Sequence, residues 1–243
     1  TGPAPFNPTG PAPFDPTGAA SVDPIGDVPE DATGPAAFQA TGGIVEVVDD
    51  RGSPAPVARS FFFAAHGRGF AIVDVHSQGN KNYGIFPVSS RNGIITRSSA
   101  TGADDSGIWV ETSQNVKVTH NLVEGNVNGF EVSNSEDVLL AYNEIRGNTI
   151  GIANLFLPDI FPVRQTSRRI TIRDNHVHDN NKPNTAREGA ILSTVPPGTG
   201  ILHVGGDDSL ISGNLVENND FIGIAVADYC LVVMGGPFDC GVD

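Results

Sequence analysis

Positive charge is scarce in this 243-residue chain: 14 Lys and Arg stand against 28 Asp and Glu, giving a formal charge of −14 and a pI near 4.6. Such a field repels nucleic acid and anionic membrane, so neither is expected as a partner. It repels an acidic polysaccharide too, unless calcium bridges the two. Long apolar runs are missing. The longest, Phe61 to Ala65 and Ile222 to Val226, fall far short of the roughly 20 residues a spanning helix needs, so no membrane span is expected. Helical patterning is nearly absent, since no window carries an i, i+3, i+4, i+7 apolar stripe with caps. There is no Ser-His-Asp signature, P-loop, dinucleotide fingerprint or zinc spacing, and no catalytic set is assignable from motifs. Cysteine is reduced to Cys230 and Cys240. A disulfide between them, clamping the terminal loop, fits a secreted or cell-surface protein, with two free thiols as the alternative. The chain opens without Met or a signal peptide, as expected of a mature form or a fragment.

What is abundant is repetition. Asn121-Leu-Val-Glu-Gly-Asn126 recurs as Asn143-Glu-Ile-Arg-Gly-Asn148, Asn175-His-Val-His-Asp-Asn180 and Asn214-Leu-Val-Glu-Asn-Asn219. A glycine before an apolar residue recurs at Gly84, Gly107, Gly129, Gly151, Gly200 and Gly223, with spacings of 23, 22, 22, 49 and 23. A period in the low twenties marks one supersecondary unit stacked many times. Counted from each glycine, apolar residues fall at +1 and +3, at +9 and +11, and at +16. In two units these are Ile108, Val110, Val116, Val118 and Val123, then Phe130, Val132, Val138, Leu140 and Ile145. The alternation predicts three short, one-face-buried strands per unit, separated by turns such as Ser113-Gln114-Asn115 and Ser135-Glu136-Asp137. Three strands and three turns make one coil of a parallel β-helix. The fold expected is all-β: a single-stranded right-handed parallel β-helix of about six to seven coils. Coils stacked at about 4.8 Å place the asparagines above one another in turn ladders, and Asn tolerates the left-handed backbone of tight corners.

Residues 1–57 form a Pro/Gly-rich octad-repeat tail and lead-in, and 58–243 the β-helix. Thr1-Gly-Pro-Ala-Pro-Phe-Asn-Pro8 is followed by Thr9-Gly-Pro-Ala-Pro-Phe-Asp-Pro16. Proline at this density forbids helix and central strand and favours an extended tail. Phe6, Phe14 and Phe38 recur in phase, as anchors for assembly would, so copies of the same chain or a surface partner are the expected occupants. A free linker is the alternative.

Residues Tyr83 to about Met234 resemble the right-handed parallel β-helix repeat proteins of the pectate-lyase-like superfamily, nearest to secreted bacterial members. The resemblance is carried by Tyr83-Gly-Ile-Phe-Pro-Val88, Asp105-Ser-Gly-Ile-Trp-Val110, Asn126-Val-Asn-Gly-Phe-Glu-Val132, Asp179-Asn-Asn-Lys-Pro-Asn184 and Val195-Pro-Pro-Gly-Thr-Gly-Ile201. It implies the fold. It does not place the calcium-binding carboxylates and catalytic Arg or Lys of the pectate lyases, which match no motif of this chain.

The unit from Gly151 to Gly200 is 27 residues too long. Keeping Asn175 in phase splits the excess into insertions near 157–166 and 181–198, both beside the first sheet, where binding loops belong. Outward positions of that sheet are Phe86, Trp109, Glu111, Glu131 and Leu202. Phe86, Trp109, Glu111, Glu131 and His203 are the candidate substrate-binding residues of a sugar cleft, with a solvated sheet face as the alternative. His203 and Asn154 break the inward apolar pattern. Glu111 and Glu131 are candidates for acid and base. Asp104 and Asp105, with either glutamate, are the candidate calcium ligands. Asp207 and Asp208 fall at turn positions. His176 and His178 flank an inward Val177 and point outward together, a possible metal arm without a visible third ligand.

Two functions follow. The first is an exported structural β-helix subunit that assembles through its tail or decorates a surface or filament. It rests on the octads, the lack of a catalytic set, and an end at Val242-Asp243 without a recognisable cap. The second is a carbohydrate-active or carbohydrate-binding protein, of the lyase or epimerase class on uronate polymers.

Overall fold

The structure, a computed structural model, describes residues 69–157 and 166–229 with their side chains, and the strand backbone of Gln39–Thr41, Ile44–Glu46, Phe62–Ala65 and Arg68. Phe6, Phe14, Phe38, Cys230 and Cys240 lie outside the described residues.

Alternating apolar residues build three parallel sheets. The first holds seven strands: Phe62–Ala65, Ile85–Val88, Ser106–Glu111, Asn128–Ser133, Ile150–Leu155, Thr199–Val204 and Ile222–Ala227. The second holds Arg68–Val73, Arg91–Thr96, Gln114–Thr119, Glu136–Ala141, Thr171–Arg173 and Leu210–Ser212. The third holds His76–Gln78, Ser99–Thr101, Leu122–Glu124, Glu144–Arg146, His176–His178 and Leu215–Glu217. The chain visits the sheets in turn, so each strand pairs with its counterpart one coil away. The result is a right-handed β-solenoid of about seven turns. Before it, Gln39–Thr41 pairs antiparallel with Ile44–Glu46, a hairpin the sequence pattern did not announce.

Register turns the repeat into a core. Ile85, Ile108, Phe130, Ile152 and Ile201 align on the first sheet. Ile95, Val118, Leu140 and Ile172 align on the second, and Ala100, Val123, Ile145 and Val177 on the third. All are buried in one cluster. The recurring glycines stack as expected, because nothing larger fits between coils: a Cβ on Gly129 would stand 2.5 Å from the carbonyl oxygen of Gly151.

The asparagines form two buried ladders. Asn143 Nδ2 donates to Asn175 Oδ1 at 2.9 Å and to Val118 O at 3.0 Å. Its own Oδ1 accepts from the backbone and side-chain nitrogens of Asn121. Asn126, Asn148, Asn180 and Asn219 repeat the scheme at the next corner. Asparagine takes the left-handed backbone at Asn92, Asn115, Asn134 and Asn218, but not at the ladder positions themselves. At the ladder corners it sits one residue before the stacked position, on Arg97, His120, Tyr142 and Asp174 ahead of Ser98, Asn121, Asn143 and Asn175, and on Gly102, Gly125 and Gly147 ahead of Ala103, Asn126 and Asn148. The turn reading of Asp208 holds: it shares positive φ with Asn115 and Asp137.

The insertion at 181–198 does not stand beside the first sheet as a wall. It lies on the sheet. Leu192 and Val195 pack on Ile150, Ala153, Leu155, Leu157 and Val204, forming a second apolar cluster outside the solenoid bore. A 3₁₀ turn at Ile191–Thr194 and the Asn184 amide, which donates to Leu192 O and Val195 O, hold the loop in shape. Residues 158–165 of the other insertion lie outside the described set.

Candidate functional site: an acid-lined pocket beside Trp109

The outer face of the first sheet is less open than the sequence implies. Phe86, Glu111 and Glu131 are only 8%, 1% and 5% exposed. Three aromatics close one side: Phe86 stacks on Trp109 with centroids 4.6 Å apart, and Tyr83 packs on Trp109 at 4.7 Å. Asp105, Trp109, Glu131, Leu157 and the loop segment Gly189–Leu192 enclose a cavity of about 230 Å³. Its floor is sheet and its roof is the insertion.

The Glu131 carboxyl in this pocket is held by two hydroxyl bonds. Ser106 Oγ donates to Glu131 Oε2 at 2.7 Å, and Ser133 Oγ donates to Glu131 Oε1 at 3.1 Å. Ser133 Oγ in turn accepts the indole N–H of Trp109 at 3.0 Å, so stacking surface and carboxyl are linked through one serine. Burial dominates the electrostatics. It lifts Glu131 to about 7 against the pull of its two serine bonds. Burial, then the charge of Glu131, lifts Glu111 to about 8. Burial lifts Asp105 to about 6, and burial with the neighbouring acids lifts the Tyr83 phenol to about 12. Beside the pocket, Glu111 Oε1 has no hydrogen-bond partner among the described residues. Asn128 is fully buried and lies near enough to Glu131 to draw its pKa down. Buried polar atoms without partners are rare and costly, and they mark places where something else binds.

Four other expectations resolve differently. His203 is not at the cleft. It belongs to the inward column Val132, Asn154, His203, because its ring completes a polar plug: Asn154 Nδ2 meets His203 Nδ1 at 2.8 Å, and His203 Nε2 meets Gly206 O at 2.9 Å. Asp104 turns to Lys81, 3.1 Å away, whereas Asp105 faces Ser106. The donors expected for calcium are therefore not gathered. Among the described residues, the group of three or more His, Cys, Asp or Glu donors that meets within 4.8 Å is Glu144, His176 and His178, on another sheet. Leu202 is covered by the insertion. Tyr83, Ser106, Asn128, Ser133 and Ile191 were not singled out from sequence. Ser106 and Asn128 share a signal that could have found them, a polar residue immediately before the repeat glycine.

The fold and pocket together define a class: a parallel β-solenoid carrying an aromatic, acid-lined pocket on its first sheet. Residues 61–234 match the family described as right-handed beta helix region, and the chain belongs to that family. Among solved structures it is similar to the mannuronan C-5 epimerase AlgE4 A-module of Azotobacter vinelandii, with 14% identity and a TM-score of 0.37, covering 68% of this chain and 56% of that one. It is also similar to the periplasmic alginate epimerase AlgG, with 17% identity and a TM-score of 0.41, covering 63% and 47%. The AlgE6 A-module of Azotobacter vinelandii gives 15% identity and a TM-score of 0.38, covering 68% and 54%. The chain thus spans about half the length of these proteins. No curated protein matches it.

Proposed function

We propose that the protein binds a polysaccharide along the first sheet, with one sugar ring entering the pocket beside Trp109. The observation that carries this is the pairing, at one cavity, of an aromatic wall with the buried carboxyls of Asp105 and Glu131. A cavity of about 230 Å³ is below the roughly 300–1,000 Å³ of drug-sized sites, and suits a single ring rather than a folded ligand. The raised carboxyl pKa values remove an objection to an acidic sugar. With Glu131 lifted to about 7 and Asp105 to about 6, the pocket carries less negative charge at neutral pH than two ordinary carboxylates would. The same spread suits proton transfer, with Asp105 ionised as base and Glu111 or Glu131 protonated as acid. That is chemistry of the lyase or epimerase class on uronates. A secreted or surface location accords with such a ligand.

The test is a glycan array of neutral and uronate oligosaccharides, run with and without calcium. The full-length protein is expected to retain a defined subset, and Trp109→Ala to lose it by at least tenfold with circular dichroism unchanged. Because Trp109 also packs on Phe86 and Tyr83, Ile191→Ser on the roof provides a second variant that leaves the sheet untouched. Binding that survives both substitutions, or no glycan bound at all, sinks the proposal.

The structural-subunit reading stands second. It is favoured by the last described coil, where Leu215, Phe221, Ile224 and Val226 are exposed, a surface that another copy or further chain would cover.

A further inference from the structure

We propose a divalent transition-metal site on the outer face of the third sheet, with Glu144, His176 Nδ1 and His178 Nε2 as ligands. It is separate from the pocket and independent of the carbohydrate reading.

The solenoid register builds it. Glu144 pairs with His176 one coil on, and Arg146 with His178, so one carboxylate faces two outward imidazoles. Glu144 Oε1 lies 2.7 Å from His178 Nε2, and Glu144 Oε2 lies 3.3 Å from His176 Nδ1. The two rings stack with centroids 3.9 Å apart. Tetrahedral bonds of about 2.0–2.1 Å put neighbouring donors about 3.3 Å apart, and one donor atom from each of the three residues lies within 4.8 Å of the other two, so small side-chain shifts bring them to one ion.

The hydrogen bonds behind the two rings point the same way. Each ring has its other nitrogen committed to a different carboxylate. His178 Nδ1 meets Asp179 Oδ2 at 2.6 Å, and His176 Nε2 meets Glu217 Oε1 at 3.0 Å. The tautomer in which both rings donate to these acids has its protons on Nδ1 of His178 and Nε2 of His176. In that tautomer the nitrogens aimed at Glu144 carry lone pairs, and a carboxylate oxygen 2.7 Å from one of them requires a cation or a proton between the two. This carboxylate–histidine arrangement fixes tautomer and ring orientation and raises ligand basicity. Three carboxylates around two neutral rings also leave an excess of negative charge. The nearby cation, Arg146, offsets little of it: its approach to Glu144 is 3.7 Å, and its shorter contact, 3.3 Å, is with Glu124.

Two imidazoles and one carboxylate suit zinc, copper or nickel rather than calcium. Glu144, the histidine pair and Glu217 come from three successive coils, so the ion clips coils together at the unit interrupted by the long insertions. The alternative is a protonated His178, which Asp179 and Glu144 would stabilise against its burial.

The experiment uses the full-length protein stripped with a chelator, then titrated with Zn²⁺ by calorimetry and with Co²⁺ as a visible reporter. One equivalent should bind, giving the d–d absorption of low-coordinate cobalt and a rise in melting temperature. His176→Ala and His178→Ala should each remove that equivalent. Asp179→Asn and Glu217→Gln should weaken it by about 10–100-fold while leaving the fold intact. His120→Ala, which alters an imidazole stacked on Tyr142 at another corner, should change nothing. Absence of Zn²⁺ binding, or an equivalent that persists in both histidine variants, overturns the site and leaves the protonated pair as the explanation.

Discussion

At the scale of single residues, the decisive feature is a set of acids kept from ionising by their own burial. Glu111 titrates at about 8 when folded, against an ordinary 4.5. Between those values the folded chain holds a proton that the unfolded chain has released. The native state therefore binds more protons, and stability falls as pH rises from about 4.5 through 8. Glu131, raised to about 7, and Asp105, raised to about 6, act in the same direction over narrower windows. This is opposite to the salt-bridged Asp137, whose pKa is lowered chiefly by its bond from Arg169. Glu111→Gln is expected to leave the melting temperature nearly unchanged near pH 5 and to raise it near pH 8. The gain should be of order 1–3 kcal/mol, a shift of several degrees in a domain this size. Calorimetric scans of both proteins across that range check it, and identical pH slopes would contradict the buried-acid account. The charge count alone could not have revealed this. A net −14 says nothing about which acids lie under a loop.

At the scale of strands and corners, the fold rests on polar ladders as much as on the apolar bore. Asn143 accepts from Asn121 and donates to Asn175 and Val118, all within the buried turn. Removing its amide strands donors and acceptors on the coils to either side. Asn143→Ala should cost about 2–4 kcal/mol in denaturant unfolding, since each buried group left unpaired costs about 1–3 kcal/mol. Asn115→Gly keeps the positive φ of a surface turn, and loses only an exposed bond to Asn92. It should cost well under 1 kcal/mol, and equal losses in the two variants would refute a structural role for the ladder. The ladder was legible in the sequence because stacking makes identical positions neighbours: Asn121, Asn143, Asn175 and Asn214 repeat the contact that one pair defines. Every residue named for the bore from Ile108 to Ile145 is buried for the same reason. The insertion was legible only in length. Nothing periodic says that Leu192 and Val195 fold back over Ala153 and Leu155, so the pocket roof and its buried acids went unseen. Glu144 was missed as a partner of His176 because the first insertion stretches to 32 the sequence separation of two residues that register pairs directly.

At the scale of the whole molecule, a solenoid differs from a closed barrel in having ends. The last described coil leaves Ile224 and Val226, which occupy core columns, 48% and 71% exposed. Ile201 in the coil before has no exposure at all, since Ile224 stands over it. Strand edges and apolar columns of this kind invite coverage by another chain or segment. The octads supply a candidate by chemistry alone. They carry Phe6 and Phe14 in a fixed phase among prolines, and proline limits the entropy lost when such a segment docks. An extended octad reaches at most about 27 Å, near the length of six to seven coils stacked at about 4.8 Å. We expect the tail to join copies of the chain, so that deleting residues 1–40 lowers the mass in solution to that of one chain while far-ultraviolet circular dichroism of the solenoid is retained. Light scattering across a concentration series reads this directly. A full-length protein that stays monomeric at high concentration rules out assembly through the tail, and leaves glycan binding beside Trp109 as the function to pursue. A deletion that keeps the oligomer intact places the contact elsewhere, with Phe221, Ile224 and Val226 as the next surface to substitute.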